Sequence, residues 1–462
     1  MLSILNFIKG LLRPQEAAEA SGAPAGSGFP RIYARSEHNI SRSLVSENAL
    51  KVLYRLKKEG YEAYLVGGCV RDLLLGREPK DFDVVTDAHP EDIRQVFRNC
   101  RLIGRRFRLA HIHFGQEIIE VATFRAFQAE GSQPERVLEN GRILRDNVYG
   151  TIEEDAFRRD FSVNALYYNI HDFSVVDFVG GMADHRASMM RLIGDPEKRY
   201  REDPVRMLRA VRFAVRLGFK IHQDSAAPIP RLANLLREIP PARLFDEIMK
   251  LMLAGYAVQN FEQLRHFGLF GALFPDTERS LSQEPQGFPL TFLAKALERT
   301  DERIANDQSV APYFLFAALL WEPVRARAGR LIEGGESALL AYQDAGNEVI
   351  NRQLRLIALP KSIGLPVREL WALQPRFDMT QGGRPFRLLG HPRFRAAYDF
   401  LILRAETGEA DPELADWWTR FQSAAEAEQK TMVRSGNRAP SSRNRTRKRR
   451  SRSKTTRTPP VA

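Results

Sequence analysis

Residues 64–86 read YLVGGCVRDLLLGREPKDFDVVT. Tyr64, Leu65 and Val66 form a short apolar run that reads as a buried strand, broken at Gly67-Gly68. A helix is expected next. Two adjacent glycines at a strand-to-helix turn let the backbone approach a ligand, and the unpaired N–H groups of the new helix favour an anion such as phosphate. Arg71 adds a forked donor suited to phosphate oxygens. After a second turn at residues 76–79 comes Asp81-Phe82-Asp83-Val84-Val85, in which strand alternation predicts that Asp81 and Asp83 share one face. Two such carboxylates repel each other, and a hard cation such as Mg²⁺ relieves the repulsion. Taken singly, the glycine pair is a common turn and the Asp-X-Asp a common strand end. Together they read as a phosphate cradle joined to a metal site.

The whole string, GG-x-VRD-x-LLG-x-x-x-x-D-x-D, resembles the signature of the nucleotidyltransferase branch that contains bacterial poly(A) polymerases and CCA-adding tRNA nucleotidyltransferases. Working outward, residues 14–45 are rich in Ala, Gly, Ser and Pro and read as a linker, with folding expected to begin near Val45. Ala49, Val52, Leu53 and Leu56 recur at helical spacing, capped by Ser46 or Asn48. A helix from His89-Pro90, strands across residues 100–114, a turn at Gly115-Gln116 and a strand over 118–124 follow. On that last strand Glu120 sits inside an apolar run. A salt-bridged surface residue is the ordinary reading, whereas the resemblance implies that Glu120 joins Asp81 and Asp83 in holding two Mg²⁺ ions, with Mn²⁺ as a possible substitute.

Residues 128–150 are polar and read as a mobile loop, and residues 153–169 carry helical spacing around Arg158-Arg159-Asp160. The match of RRDF-x-x-NAL to the family's second motif implies that Arg158 and Arg159 lie near the triphosphate. It also implies a catalytic place for Asp160, beside the ribose or the metal. A strand over 173–179 leads to Asp177 and Gly180-Gly181, which resemble a hinge between domains. In REDPVRMLRAVRFAVRLGF, residues 201–219, Pro204 opens a helix with an apolar face beside an arginine face. Asp203 and Arg206 can form a local ion pair. The resemblance implies instead that they read the base of the incoming nucleotide.

Beyond Gly218 the pattern is almost wholly helical, and Phe314, Phe316 and Trp321 read as helix core rather than stacking platforms. The chain carries a formal charge of +12, and residues 430–462 hold twelve Lys and Arg and no acid, so basic and acidic side chains balance in the remainder. This tail is expected to be disordered and to bind a polyanion, with Arg447, Lys448, Arg449 and Arg450 as RNA contacts and a membrane surface as the weaker alternative. Two cysteines without metal-ligand spacing support neither a disulfide framework nor a zinc site and fit a reducing cytoplasm. No run reaches the roughly 18 apolar residues that span a bilayer.

The expected architecture is α+β. A linker (1–45) precedes a nucleotidyltransferase head with a mixed sheet (46–185), an all-α neck (186–255) and body (256–425), and a disordered basic tail (426–462). Within the family, the segment LIGRRFRLAHIHF resembles the poly(A) branch, in which Phe107 is followed by Arg108-Leu109-Ala110-His111 rather than by a small pair. That implies template-independent addition of AMP from ATP to RNA 3′ ends, with RNA-decay proteins as possible partners. CCA addition to tRNA is the alternative, and a non-catalytic RNA-binding protein on the same fold is a second.

Overall fold

The computed structural model describes residues 29–104, 108–126, 138–139, 142–143, 148–282 and 291–435. The chain divides into two units, Met1–Ala233 and Asn234–Ala462. In the first unit the elements run β1 (Arg31–Tyr33), α1 (Glu47–Lys58), β2 (Ala63–Val66), α2 (Gly68–Leu74), β3 (Asp83–Thr86), α3 (Pro90–Val96), β4 (Cys100–Ile103), β5 (Leu109–Phe114) and β6 (Glu117–Thr123). They continue with α4 (Ile152–Arg158), β7 (Leu166–Asn169), β8 (Val175–Asp177), α5 (Gly181–Arg186), α6 (Pro196–Glu202) and α7 (Val205–Leu217).

Eight strands form one sheet in the order β1-β8-β7-β2-β3-β6-β5-β4. Within this sheet β3 and β6 are parallel neighbours and the other pairs are antiparallel; Met189–Met190 and Lys220–Ile221 form a separate parallel pair, so the neck expected to be all-α carries two short strands. Alternation divides the side chains between two faces. Leu65, Val84, Val121 and Ala110 stand in register on one face and join Ala49, Val52, Leu53 and Leu56 of α1, Val70 and Leu73 of α2 and Ile93 of α3 in a buried core. At about 1.5–3 kcal/mol for each fully buried large aliphatic side chain, this face contributes strongly to the unit's cohesion. Ser46 starts α1 by accepting from the N–H groups of Asn48 and Ala49. On the opposite face Val66, Tyr167 and Val176 pack with Ala156 of α4, leaving the β3–β6–β5 portion to carry the polar residues described below.

Several expectations change. The linker read through residue 45 contains β1, the edge strand paired with β8, and Tyr33 and Ile40 are buried. A three-residue strand is too short to leave a periodic signal. The helical spacing over 153–169 holds only for α4; Ser162–Asn164 is a 3₁₀ turn, and Leu166–Asn169 becomes β7 because the sheet buries Leu166, Tyr167 and Tyr168. Asp177, which resembles a hinge residue together with Gly180-Gly181, has a structural place of its own. It is fully buried inside the first unit, and its carboxylate accepts from the N–H groups of Val179, Gly181 and Met182 at 3.0 Å each, so that it caps α5. A side chain on Gly181 would come within 2.3 Å of the Ser162 carbonyl oxygen, so only glycine fits there.

Within 128–150 the described residues include a two-residue strand pair, Leu138–Glu139 with Arg142–Ile143; the rest of the expected mobile loop up to residue 147, like Phe107, lies outside the described residues.

In the second unit every described element is helical, and Phe316 and Trp321 are fully buried, as expected for core aromatics. Residues 426–435, read as part of the disordered tail, form the helix Glu426–Ser435, with Met432 and Val433 against a core that includes Trp418 and Phe421. A Glu426–Lys430 ion pair one turn apart supports it. Arg447, Lys448, Arg449 and Arg450 lie outside the described residues.

Candidate active site

Register builds the site. His111 on β5 stands opposite Glu120 on β6, Glu120 opposite Asp83 on β3, and Asp83 opposite Val66 on β2, so the four share one row and one face of the sheet. The strand then turns at Gly67, whose φ of 79° and ψ of −134° suit glycine alone and which precedes α2 directly. A Cβ at Gly67 would lie 3.6 Å from Arg159 Nη1 and 3.8 Å from Asp83 Oδ2. The glycine turn, one arginine and one carboxylate therefore meet within contact distance. Asp81 sits in the exposed bend before β3 rather than on the strand, so alternation does not set its direction; its charge still reaches Asp83.

Asp83 is pushed up to about 6, chiefly by burial and then by the negative charge of Glu120, with Arg159 opposing and Asp81 adding to the rise. Since this value exceeds the 3.8 of an unperturbed Asp, the folded chain holds a proton there that the unfolded chain has lost between about pH 4 and 6. Asp83 thus destabilises the metal-free fold at neutral pH, and the penalty fades as pH falls through 6. We expect metal-free Asp83→Asn protein to melt a few degrees above the wild type at pH 7.5, with the gap narrowing below pH 6 and closing near pH 4. A gap independent of pH would contradict this electrostatic account.

Glu120 Oε1 is bonded to His111 Nε2 at 2.8 Å. Among the described residues no three His, Cys, Asp or Glu side chains are grouped to hold a metal ion. The row therefore offers mutually repelling hard oxygen donors, the chemistry a divalent cation relieves, without a ready-made cage.

Arg159 bonds Asp155 Oδ2 through Nε and Nη2 (3.1 and 2.9 Å) and donates from Nε to the Tyr167 hydroxyl at 3.0 Å, which leaves Nη1 by the Gly67 turn. Arg158 donates to the Ala126 carbonyl at 3.0 Å. Arg71 is 3% exposed, with its guanidinium bonded to Asp72 Oδ1 and to Asn164 Oδ1 at 2.7 Å. Asn164 Nδ2 in turn donates to Asp160 Oδ1 (3.3 Å), while Asp160 Oδ2 takes Nε and Nη2 of Arg209 at 2.8 and 2.5 Å. Burial opposes the charge of Asp160, but Arg209, joined by hydrogen bonds from Asn164 and the Phe161 N–H, outweighs it and holds the carboxyl below its ordinary range.

Arg206 bonds Glu202 at 3.1 Å and the Arg199 carbonyl at 2.6 Å, whereas Asp203 Oδ1 accepts from the Val205 N–H. Arg199 reaches back to the carbonyls of Arg158 and Arg159 at 2.8 and 2.7 Å. The Cys69 thiol is buried and pushed up to about 12 by that burial, which removes it from thiolate chemistry.

The structure thus gathers Gly67, Asp83, Glu120 and Arg159, with Asp81 beside them. Gly68 begins α2 and lies near Arg71: a Cβ there would be 3.6 Å from Arg71 Nη2. Sequence reasoning did not single out His111, Asp155, Asn164, Tyr167, Arg199 or Arg209 as site residues. Asp155 was within reach, since it precedes Arg159 by one helical turn.

Residues 63–191 match the family described as "Poly A polymerase head domain", 218–281 "Probable RNA and SrmB- binding site of polymerase A" and 334–454 "Polymerase A arginine-rich C-terminus". Poly(A) polymerase I of Salmonella typhi is 51% identical over 93% of this chain and 93% of its own length. A CCA-adding enzyme of Lactobacillus helveticus is 36% identical over 46% of this chain and 52% of its own. Among solved structures, the Bacillus stearothermophilus CCA-adding enzyme in complex with CTP superposes with a TM-score of 0.54, at 27% identity over 80% of each chain.

Proposed function

The chain belongs to the poly(A) polymerase I family, and from that premise we propose how its residues carry the family's reaction. It is a polynucleotide adenylyltransferase, which extends RNA 3′ ends with AMP from ATP and needs no template. In sequence the Lactobacillus helveticus CCA-adding enzyme matches less than half of the chain, whereas the Salmonella typhi poly(A) polymerase I matches 93% of it, so the poly(A) reading takes precedence.

The carrying observation is the row of Asp83 and Glu120 beside the Gly67 turn and Arg159. Asp83, Glu120 and Asp81 would hold Mg²⁺, two ions in our reading, with Mn²⁺ as a substitute of the same oxygen preference. Bound there, the metal would supply charge for the attacking 3′-hydroxyl and the leaving pyrophosphate. The chain's own part is positional. The Gly67-Gly68 turn brings the backbone to the triphosphate, and Arg158 and Arg159 supply positive charge at its edge. Arg71 acts by holding α2, because its donors are engaged by Asp72 and Asn164. Asp160 fixes Arg209 of α7 and, through Asn164, Arg71 of α2. Asp203 and Arg206, where α6 gives way to α7, would read the adenine edge.

We assign the head to residues 31–185, which adds β1 to the span expected from the sequence, the neck to 186–255 and the RNA-binding body to 256–435, with Arg447, Lys448, Arg449 and Arg450 of the tail neutralising RNA phosphates. Among the described residues no helix is long and apolar enough to cross a membrane, and both cysteines are unpaired. We place the activity in the cytoplasm, with RNA-decay proteins as partners.

Iron in place of magnesium tests the site. Fe²⁺ with ascorbate and peroxide should cut the backbone near residues 66–68, 81–84 and 118–121, and excess Mg²⁺ should suppress the cuts. Cleavage confined to other segments would remove these carboxylates from the metal site.

A further inference from the structure

His111 lies in the segment that resembles the poly(A) branch, yet none of the roles assigned so far includes it. It lies on β5, between β4 and β6, opposite Arg101 on one side and Glu120 on the other, so its backbone is fixed by ladders on both edges. Its Nε2 stands 2.8 Å from Glu120 Oε1. The imidazole is 19% exposed and the Glu120 side chain 45%, so the buried partner anchors the more exposed one. To bond a carboxylate, Nε2 must carry its proton. The bond occupies Oε1 and leaves Oε2 available. His113, two residues on and facing the same side, is paired with Ile118 and offers a matched comparison.

We propose that His111 is a positioning residue, whose bond to Oε1 holds the Glu120 carboxylate beside Asp83 so that it arrives at the cation already oriented. An unanchored Glu on an open sheet face samples several rotamers, and ordering it at each binding event costs free energy; the cross-strand histidine removes that cost. This inference rests on the assignment of Asp83 and Glu120 as metal-holding carboxylates.

The test compares His111→Ala, His111→Gln, His113→Ala, Glu120→Ala and the His111→Ala/Glu120→Ala double variant. Each is assayed for AMP incorporation and, without turnover, for Mn²⁺ affinity by water-proton relaxation in the presence of a non-hydrolysable ATP analogue. His111→Ala should lower kcat and Mn²⁺ affinity by about tenfold each, as loss of a partner behind a metal ligand does, while the KM for ATP moves less than about twofold. His111→Gln, whose amide N–H can replace Nε2–H, should recover most of both. The double variant should be no worse than Glu120→Ala alone, because the histidine acts only through that carboxylate. Should His111→Ala match His113→Ala in kcat and Mn²⁺ affinity, differ from the wild type in melting temperature only, or add fully to Glu120→Ala, the proposal is overturned. If Glu120→Ala and Asp83→Ala also keep wild-type activity and Mn²⁺ affinity, the site assignment falls with it.

Discussion

Asp83→Ala protein is expected to fold normally and to incorporate AMP about a thousandfold more slowly than the wild type, or less. A carboxylate that shares a catalytic cation contributes several kcal/mol of transition-state stabilisation, and about 4 kcal/mol corresponds to that factor. The loss should fall on kcat, because the Gly67 turn and the arginines that receive the triphosphate remain in place. Stability should not fall. Asp83 is a half-buried acid crowded by Glu120 and Asp81, with its pKa raised to about 6, so removing it relieves repulsion. Asp81→Ala should show the same loss of rate, since Asp81 flanks Asp83 in the bend. Activity above about a tenth of wild type in either variant would remove the carboxylate from the role of metal ligand.

Asp160→Ala should do the opposite, taking stability first. Its carboxylate is the meeting point of Arg209 on α7 and of Asn164, which passes the connection on to Arg71 on α2. Removing one partner of a buried pair leaves the other charge poorly compensated, at a cost of about 3–5 kcal/mol. Arg209 retains 32% side-chain exposure, so solvent softens the cost here to about 2–3 kcal/mol. For a unit of this size that lowers the melting temperature by about 5–10 °C. Asp160→Asn, which keeps an acceptor for Arg209, should lose about half as much. A variant that melts with the wild type yet loses kcat would instead place Asp160 among the reacting groups.

The sequence made the turn at Gly67-Gly68 legible because glycine conformation acts over a few residues, and it marked Asp83 at the head of β3; the alternation expected across Asp81 and Asp83 fails because Asp81 precedes the strand in a bend. It also held the His111–Glu120 pairing. A two-residue turn at Gly115-Gln116 sets the register of the hairpin, so the residue four before Gly115 must face the residue four after Gln116. The parallel pairing of Asp83 with Glu120 was not readable in that way. It depends on how β3 and β6 come together across α3 and the β4–β5 hairpin, a matter of tertiary packing. Arg209 stayed hidden as the partner of Asp160 for the same reason, being 49 residues away.

Local signals misled where burial overrode them. Leu166, Tyr167 and Tyr168 fall on helical spacing after Arg159, but three consecutive fully buried side chains are better accommodated within a two-faced sheet than on one stripe of a short helix. The helix Glu426–Ser435 was obscured by the basic composition that follows it, although Met432 and Val433 mark its apolar side.

The most direct test of the account is the product that the purified chain makes from a generic single-stranded RNA. With Mg²⁺ and ATP alone, the wild type should produce long homopolymer tails, and CTP in place of ATP should be incorporated poorly; Asp83→Asn should leave the RNA unextended. Refusal of generic RNA, together with addition of CTP and then ATP to a tRNA lacking its 3′ end and a stop after the third nucleotide, would contradict it.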